Sequence, residues 1–234
     1  MRGCFVTGTD TGVGKTVVAA AILAALVARG ESVAAFKPVV TGLDEPRDPD
    51  WPPDHELLAA ISGQAADEVA PWRFGPAASP HLAAELHGRE LDPATVVAAA
   101  RNVASGAPAL VVEGVGGLLV PLTPGYSVRD LARELGLPVV VAARPGLGTI
   151  NHTLLTLEAA RAAGLRVAAV VLTPWPAEPN VLERSNHETI AELGEVAVAG
   201  LPRVARAEAS LLADAGAALE PWRWLGSNAE NGGI

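Results

Sequence analysis

The stretch Gly8-Thr9-Asp10-Thr11-Gly12-Val13-Gly14-Lys15-Thr16 constrains this chain more than any other. A short apolar run, Cys4-Phe5-Val6-Thr7, precedes it and reads as a strand. Val17 to Arg29, rich in Ala, Leu and Val, follows it and reads as a helix ending at Gly30. A glycine-rich turn between strand and helix that closes on Gly-Lys-Thr cradles phosphate. Backbone N–H groups at the helix start point at the anion, the lysine adds a point charge, and the threonine hydroxyl can hold Mg²⁺. Gly12, Val13, Gly14, Lys15, Thr16 and Val17 are the candidate phosphate-binding residues. The usual spacing leaves four residues between the first glycine and the Gly-Lys pair. Here that position is Thr9 and the glycine, Gly8, lies one residue earlier, so the loop is a variant of the pattern.

Further along, short apolar runs alternate with helical stretches. Strands are expected at 32–37, 108–113, 138–142, 165–172 and 196–201. Helices are expected at 54–61, 82–86, 94–104, 128–135, 149–163, 180–193 and 207–219. Residues 44–53 read as a loop rich in Asp, Pro and Trp, and 72–78 as irregular. This alternation predicts an α/β fold: one P-loop NTPase-like domain over 1–225, a parallel sheet with helices on both faces, and a flexible tail over 226–234. Ligands of such sheets sit beyond the carboxyl ends of the strands. Lys15, Lys37 and Glu113 all fall there.

Composition narrows the function classes. A net charge of −9 without a basic run argues against a nucleic-acid or anionic-membrane surface. No apolar run approaches the roughly 20 residues of a membrane span. Met1-Arg2 leads straight into a strand, leaving no room for a signal peptide. The single cysteine, Cys4, rules out a disulfide framework and suits a reducing, cytoplasmic setting. Among the 17 basic residues only Lys15 and Lys37 are lysines. A chain that fills nearly every cationic position with Arg keeps Lys where a compact ammonium is needed, as against phosphate. Lys37 is singled out on that ground.

Thr16, Asp54 and Glu113 form a candidate Mg²⁺ shell, because that ion takes hard oxygens, few of them from protein. Glu113 ends an apolar strand, the position of a Walker-B acid. A helix N-cap would explain Asp54 equally well. His55 reads as a surface residue, and His81 and His152 as structural histidines. The five tryptophans follow no helical stripe.

Five motifs then occur in order: Gly8 to Thr16, Lys37-Pro-Val-Val-Thr-Gly42, Ser79-Pro-His-Leu82, Val112-Glu-Gly-Val-Gly-Gly117 and Leu147-Gly-Thr-Ile-Asn-His152. Together they resemble the dethiobiotin synthetase family, from the first strand to about residue 205. The resemblance implies an ATP-dependent ligase that forms the ureido ring of dethiobiotin from 7,8-diaminononanoate and CO₂, with Mg²⁺ as cofactor. It implies that Lys15, Lys37 and Thr11 are catalytic. It implies that Gly114, Val115, Gly116, Thr173, Pro174, Leu201, Pro202 and Arg203 join the nucleotide site. Thr41 and the helix start Gly148-Thr149-Ile150-Asn151 would meet the substrate, the latter in the partner's site of a homodimer.

Thr173-Pro174 stands where many relatives carry Asn-Asp to read adenine, so base selectivity is expected to be loose. The alternative reading is a P-loop switch ATPase of the partitioning or metal-insertion type. Those proteins carry a second lysine five residues before the loop lysine, where this chain has Asp10, and they do not need Lys37. A cobyrinate amidation domain would call for a catalytic cysteine, and Cys4 lies in the first strand. The reading of Lys37 as catalytic predicts that Lys37→Met lowers turnover and barely alters thermal stability.

Overall fold

Residues 1–46 and 48–225 are described by the computed structural model; the tail expected over 226–234 lies outside them. In chain order the first elements are β1 (Gly3–Gly8), α1 (Lys15–Ala28), β2 (Val33–Phe36), β3 (Val39–Val40), α2 (Asp54–Ser62), α3 (Ala66–Val69), β4 (Trp72–Arg73), α4 (Pro80–Leu86) and α5 (Pro93–Ser105). After them come β5 (Ala109–Gly117), β6 (Pro121–Thr123), β7 (Tyr126–Ser127), α6 (Val128–Leu135), β8 (Val139–Ala143), α7 (Thr149–Ala162), β9 (Val167–Trp175), α8 (Val181–Gly194), β10 (Val198–Pro202) and α9 (Ala209–Ala217).

The six apolar runs pair into one parallel sheet in the order β10-β9-β8-β1-β5-β2. β1 is buried along its whole length. Alternate side chains serve two cores, because successive Cβ atoms of a strand point to opposite faces. Phe5, Phe36 and Val112 join Val96, Leu131 and Leu157 beneath α5, α6 and α7. Cys4, Val6, Ala35 and Val111 join Ile22, Leu58 and Leu212 beneath α1, α2 and α9. Helices on both faces are what near-continuous apolar strands require.

Two helices show how position decides pattern. In α6, Val128, Leu131, Ala132 and Leu135 are buried at helical spacing, and Ser127 caps the start by accepting from the Asp130 N–H. By contrast, α1 is apolar all round, and Val18 to Leu26 are buried without a break, because the sheet covers one side of it and α9 another.

The structure departs from the expected elements where segments are too short to carry a period. Part of the stretch expected to be irregular, Trp72–Arg73, pairs in parallel with Val39–Val40. A small antiparallel pair, β6 with β7, was not expected at all. Two residues cannot show a period of two, and only the tertiary pairing defines them.

Gly216 sets how closely α9 approaches α1. A Cβ at this position would overlap the Ala21 carbonyl oxygen, and backbone in a packed helix cannot turn aside as a side chain can. Gly216→Ala is expected to lower stability by about 2 kcal/mol through overpacking. In a thermal melt that is a fall in Tm of roughly 5 °C, and an unchanged Tm would show that the helices part without cost.

Candidate active site

The loop between β1 and α1 is built for an anion. Gly12 and Gly14 have φ of 71° and 91°, a left-handed conformation that turns successive N–H groups into one concavity. The helix starts at Lys15 with no side chain capping it, so its first N–H groups are left for a ligand. A Cβ on Gly14 would stand 2.6 Å from Thr173 Cγ2, so β9 leaves room there for glycine only. Lys15 Nζ rests on the Asp10 carbonyl at 2.8 Å.

Beside the loop lies a buried charge cluster. The pairing of β1 with β5 sets Val6 opposite Glu113, and that of β2 with β5 sets Phe36 opposite Val112. Lys37 therefore leaves β2 next to Glu113. Its Nζ contacts Glu113 Oε1 at 2.6 Å and Asp54 Oδ2 at 2.7 Å. Thr16 Oγ1 donates to the same Glu113 Oε1 at 2.8 Å. Asp54 is the first residue of α2 and Pro53 its N-cap, so the carboxylate faces the cluster instead of capping the helix.

Burial works against every charge here. It would lower Lys37, but the two carboxylates reverse this and the ammonium is held above its usual range. Burial would raise Asp54, yet Lys37 holds it below the ordinary carboxylate range. For Glu113 burial prevails over Lys37 and the pKa is raised. Lys15 is brought down to about 8 by burial, which outweighs the nearby carboxylates.

This donor set fits Mg²⁺. Glu113 is fully buried, and its Oε2 has no hydrogen-bond partner among the described residues. Thr16, Asp54 and Glu113 offer hard oxygens around it. No group of three His, Cys, Asp or Glu side chains capable of holding a metal occurs among the described residues. Two carboxylates and a hydroxyl suit an ion that keeps water and phosphate oxygens in its shell.

A cleft of about 660 Å³ opens from the loop. Gly12, Val13, Gly14 and Val17 line one side; Thr173, Pro174 and Arg203 line the other. Several expected residues fall elsewhere. Leu201 packs into the core and Pro202 ends β10, so only Arg203 of that trio reaches the cleft. Gly114 and Val115 run inside β5, where a Cβ on Gly114 would press on Val128 and Phe5. Gly116 passes beside Thr11 Oγ1. Thr41 and Asp54 line a smaller cleft of about 200 Å³, and Thr11 lines one of about 440 Å³ together with His152 of α7. Gly148, Thr149, Ile150 and Asn151 line none of these clefts. A separate groove at the amino ends of β2 and β5, lined by Ser32, Gln64 and Asn102, has no phosphate loop beside it.

Three aspects were not legible in sequence. Trp51 and Trp175 line the nucleotide-sized cleft from opposite segments, although neither follows a helical stripe. Arg144, which directly follows β8, borders the same cleft. His55 is buried, not on the surface, and burial holds its pKa below the ordinary imidazole value. Its acidic neighbours suggested an exposed helix start, whereas α2 turns this side inward.

A family model described as an AAA domain matches residues 2–208. The chain is 48% identical to an ATP-dependent dethiobiotin synthetase of Anaeromyxobacter dehalogenans, over 82% of this chain and 86% of that one. It is 36% identical to the enzyme of the same name from Bacillus velezensis, over 86% of each chain. Among solved structures, the cell division ATPase MinD of Pyrococcus furiosus matches with a TM-score of 0.58 at 16% identity, covering 95% of this chain and all of that one. A ParA family ATPase from Chlorobium tepidum matches with a TM-score of 0.51 at 12% identity, over 94% of this chain and 92% of that one. At such identities the likeness is one of fold.

The depressed Lys15 makes nucleotide binding dependent on pH. Below about 8 the empty site already holds the proton. Above it the proton is lost, and a bound polyphosphate, which favours the ammonium, must draw one from solvent. Affinity for ADP is therefore expected to fall as pH rises through 8, by up to roughly tenfold per unit. Calorimetric titration between pH 7 and 9.5 measures this; a flat affinity would mean that Lys15 stays charged throughout.

Proposed function

Because the chain belongs to the ATP-dependent dethiobiotin synthetase family, we propose that it closes the ureido ring of dethiobiotin from 7,8-diaminononanoate, CO₂ and ATP. The observation that carries this reading is Lys37, a buried ammonium fixed by Glu113 and Asp54 beside the phosphate loop. A switch ATPase has no use for a cation there, and Asp10 stands where such proteins carry their second lysine.

The chemistry asks for charge neutralisation and alignment more than for a strong protein base. One substrate amine adds CO₂ and loses a proton, giving a carbamate. A carbamate oxygen attacks the γ-phosphorus and ADP leaves. The second amine attacks the carbonyl carbon of the mixed anhydride, phosphate departs, and the ring closes. Lys15 and the N–H groups of the loop hold the phosphates. Lys37 stabilises the charge on the carbamate and on the transferring phosphoryl group. Thr11 faces the carbamate and Thr41 the substrate. Thr16, Asp54 and Glu113 would hold Mg²⁺, which neutralises charge on the β- and γ-phosphates.

The active form in this reading is a homodimer in the cytoplasm. Gly148 to Asn151 serve the partner's site, the helix start binding the substrate carboxylate. Support comes from Leu147, 91% exposed beside that helix start, and from Leu119 and Leu155, each 57% exposed. No helix among the described residues is long and apolar enough to cross a membrane. An active monomer in light scattering would overturn the shared site.

Mass detection of dethiobiotin formed from diaminononanoate, bicarbonate and MgATP tests the activity; no product, or product without nucleotide, would sink it. Run with other triphosphates, the same assay tests base reading. Pro174 offers no N–H and no side-chain acceptor, so CTP or GTP is expected within roughly 10²-fold of ATP in kcat/KM. Values below about one part in a thousand would assign base reading to another segment.

Lys37→Met is expected to lower turnover by roughly 10² or more. The ion pairs replace the expectation of unchanged stability: the variant leaves the fully buried Glu113 carboxylate without its cation, at about 3 kcal/mol. Adding Glu113→Gln should recover part of the melting temperature and none of the turnover. Near-wild-type turnover in Lys37→Met would make Lys37 purely structural.

A further inference from the structure

Six of the described arginines, Arg2, Arg29, Arg73, Arg133, Arg206 and Arg223, are paired with carboxylates. Arg144 is not. Among the described residues no carboxylate lies within ion-pair distance of it, and its one hydrogen bond is from Nη2 to the Gly12 carbonyl at 3.1 Å. That bond crosses from the end of β8 to the phosphate loop. The side chain is exposed, yet it borders the cleft that the loop opens into. The cleft's own carboxylate, Glu183, is engaged elsewhere: it accepts from the Asn180 N–H at 2.8 Å.

A guanidinium has five N–H donors and no acceptor. A neutral carbonyl satisfies one of them and fixes the plane without cancelling the charge. The charge is left at the border of a cleft beside the phosphate loop, in a protein whose net charge of −9 would otherwise repel a polyanion. The position along the loop indicates which phosphates are near. In loops of this kind the lysine reaches the β- and γ-phosphates. Here Lys15 Nζ rests on the Asp10 carbonyl, two residues from Gly12. Arg144 therefore stands at the terminal-phosphate end.

We propose that Arg144 is a nucleotide-binding residue, its carbonyl-anchored guanidinium taking the β- or γ-phosphate of a nucleoside di- or triphosphate. The proposal rests on the cleft being a nucleotide site, and not on which acceptor receives the phosphoryl group. The loop-to-strand bond gives it a fixed bearing before the nucleotide arrives, so little side-chain freedom is lost on binding.

Calorimetric titration without the amine substrate tests this with three probes: a non-hydrolysable ATP analogue, ADP and AMP. Arg144→Ala is expected to weaken the analogue and ADP about tenfold or more, the range of a lost charge-assisted hydrogen bond, and AMP by less than about twofold. Arg144→Lys keeps the charge and should recover part of the loss; Arg144→Gln keeps a donor for Gly12 but no charge and should recover none. Wild-type affinity for all three probes in Arg144→Ala would overturn the proposal. So would an equal loss for all three, which marks a distorted loop instead of a phosphate contact. If Arg144→Ala does not fold, the Lys and Gln variants decide by the same comparison. A wild-type protein that makes no dethiobiotin would end the synthetase reading and leave this titration valid.

Discussion

Everything around the site depends on one buried ammonium. Lys37 is enclosed with Glu113 and Asp54 at 2.6 and 2.7 Å, where a lone charge would cost several kcal/mol. Each member is tolerated because the others are there. Three elements meet at this point: the end of β2, the middle of β5, which runs on to Gly117 instead of ending at Glu113 as expected, and the start of α2. Thr16, in the first turn of α1, joins through its bond to Glu113. The cluster thus ties the helix that follows the phosphate loop to three separate parts of the chain and fixes the Lys37 ammonium beside it.

The loop itself relies on close approach. Gly14 leaves room for Thr173 and takes a backbone angle that other residues adopt at a cost. Because β9 comes this close to the loop, the cleft wall and the glycine-rich turn are in direct contact. α1 behind them is apolar on every side and buried from Val18 to Leu26, so the loop is mounted on a fully packed helix. Preorganisation of this kind is what transfer of a phosphoryl group requires of a protein.

Two designs coexist at the carboxyl edge of the sheet. On the β2 and β5 side Lys37 and Glu113 are buried and Asp54 is partly exposed, the three joined by ion pairs that leave Glu113 Oε2 without a partner among the described residues. On the β9 and β10 side the cleft is edged by Thr173, Pro174, Trp175 and Arg203, an apolar ring and proline beside a hydroxyl and a guanidinium. The fold shared with MinD and ParA proteins is common to both halves; the residues placed on it differ.

By itself the sequence determined the sheet, the loop and the three polar groups at its edge, because apolar runs of strand length and a strand–glycine–helix junction carry their own periodicity. Lys37 was legible through the scarcity of lysine. Tertiary structure alone decided the rest. Asp54 could have capped its helix or faced the site, and only the packing of α2 turned it toward Lys37. Leu201 and Arg203 lie two residues apart, yet one is in the core and the other at the cleft, since β10 ends between them. Trp51 and Arg144 gain their places from loops, whose course is set by what they pack against. Strand positions can be read from pattern; strand order, register and the meeting of segments far apart in sequence cannot, because no local period encodes them.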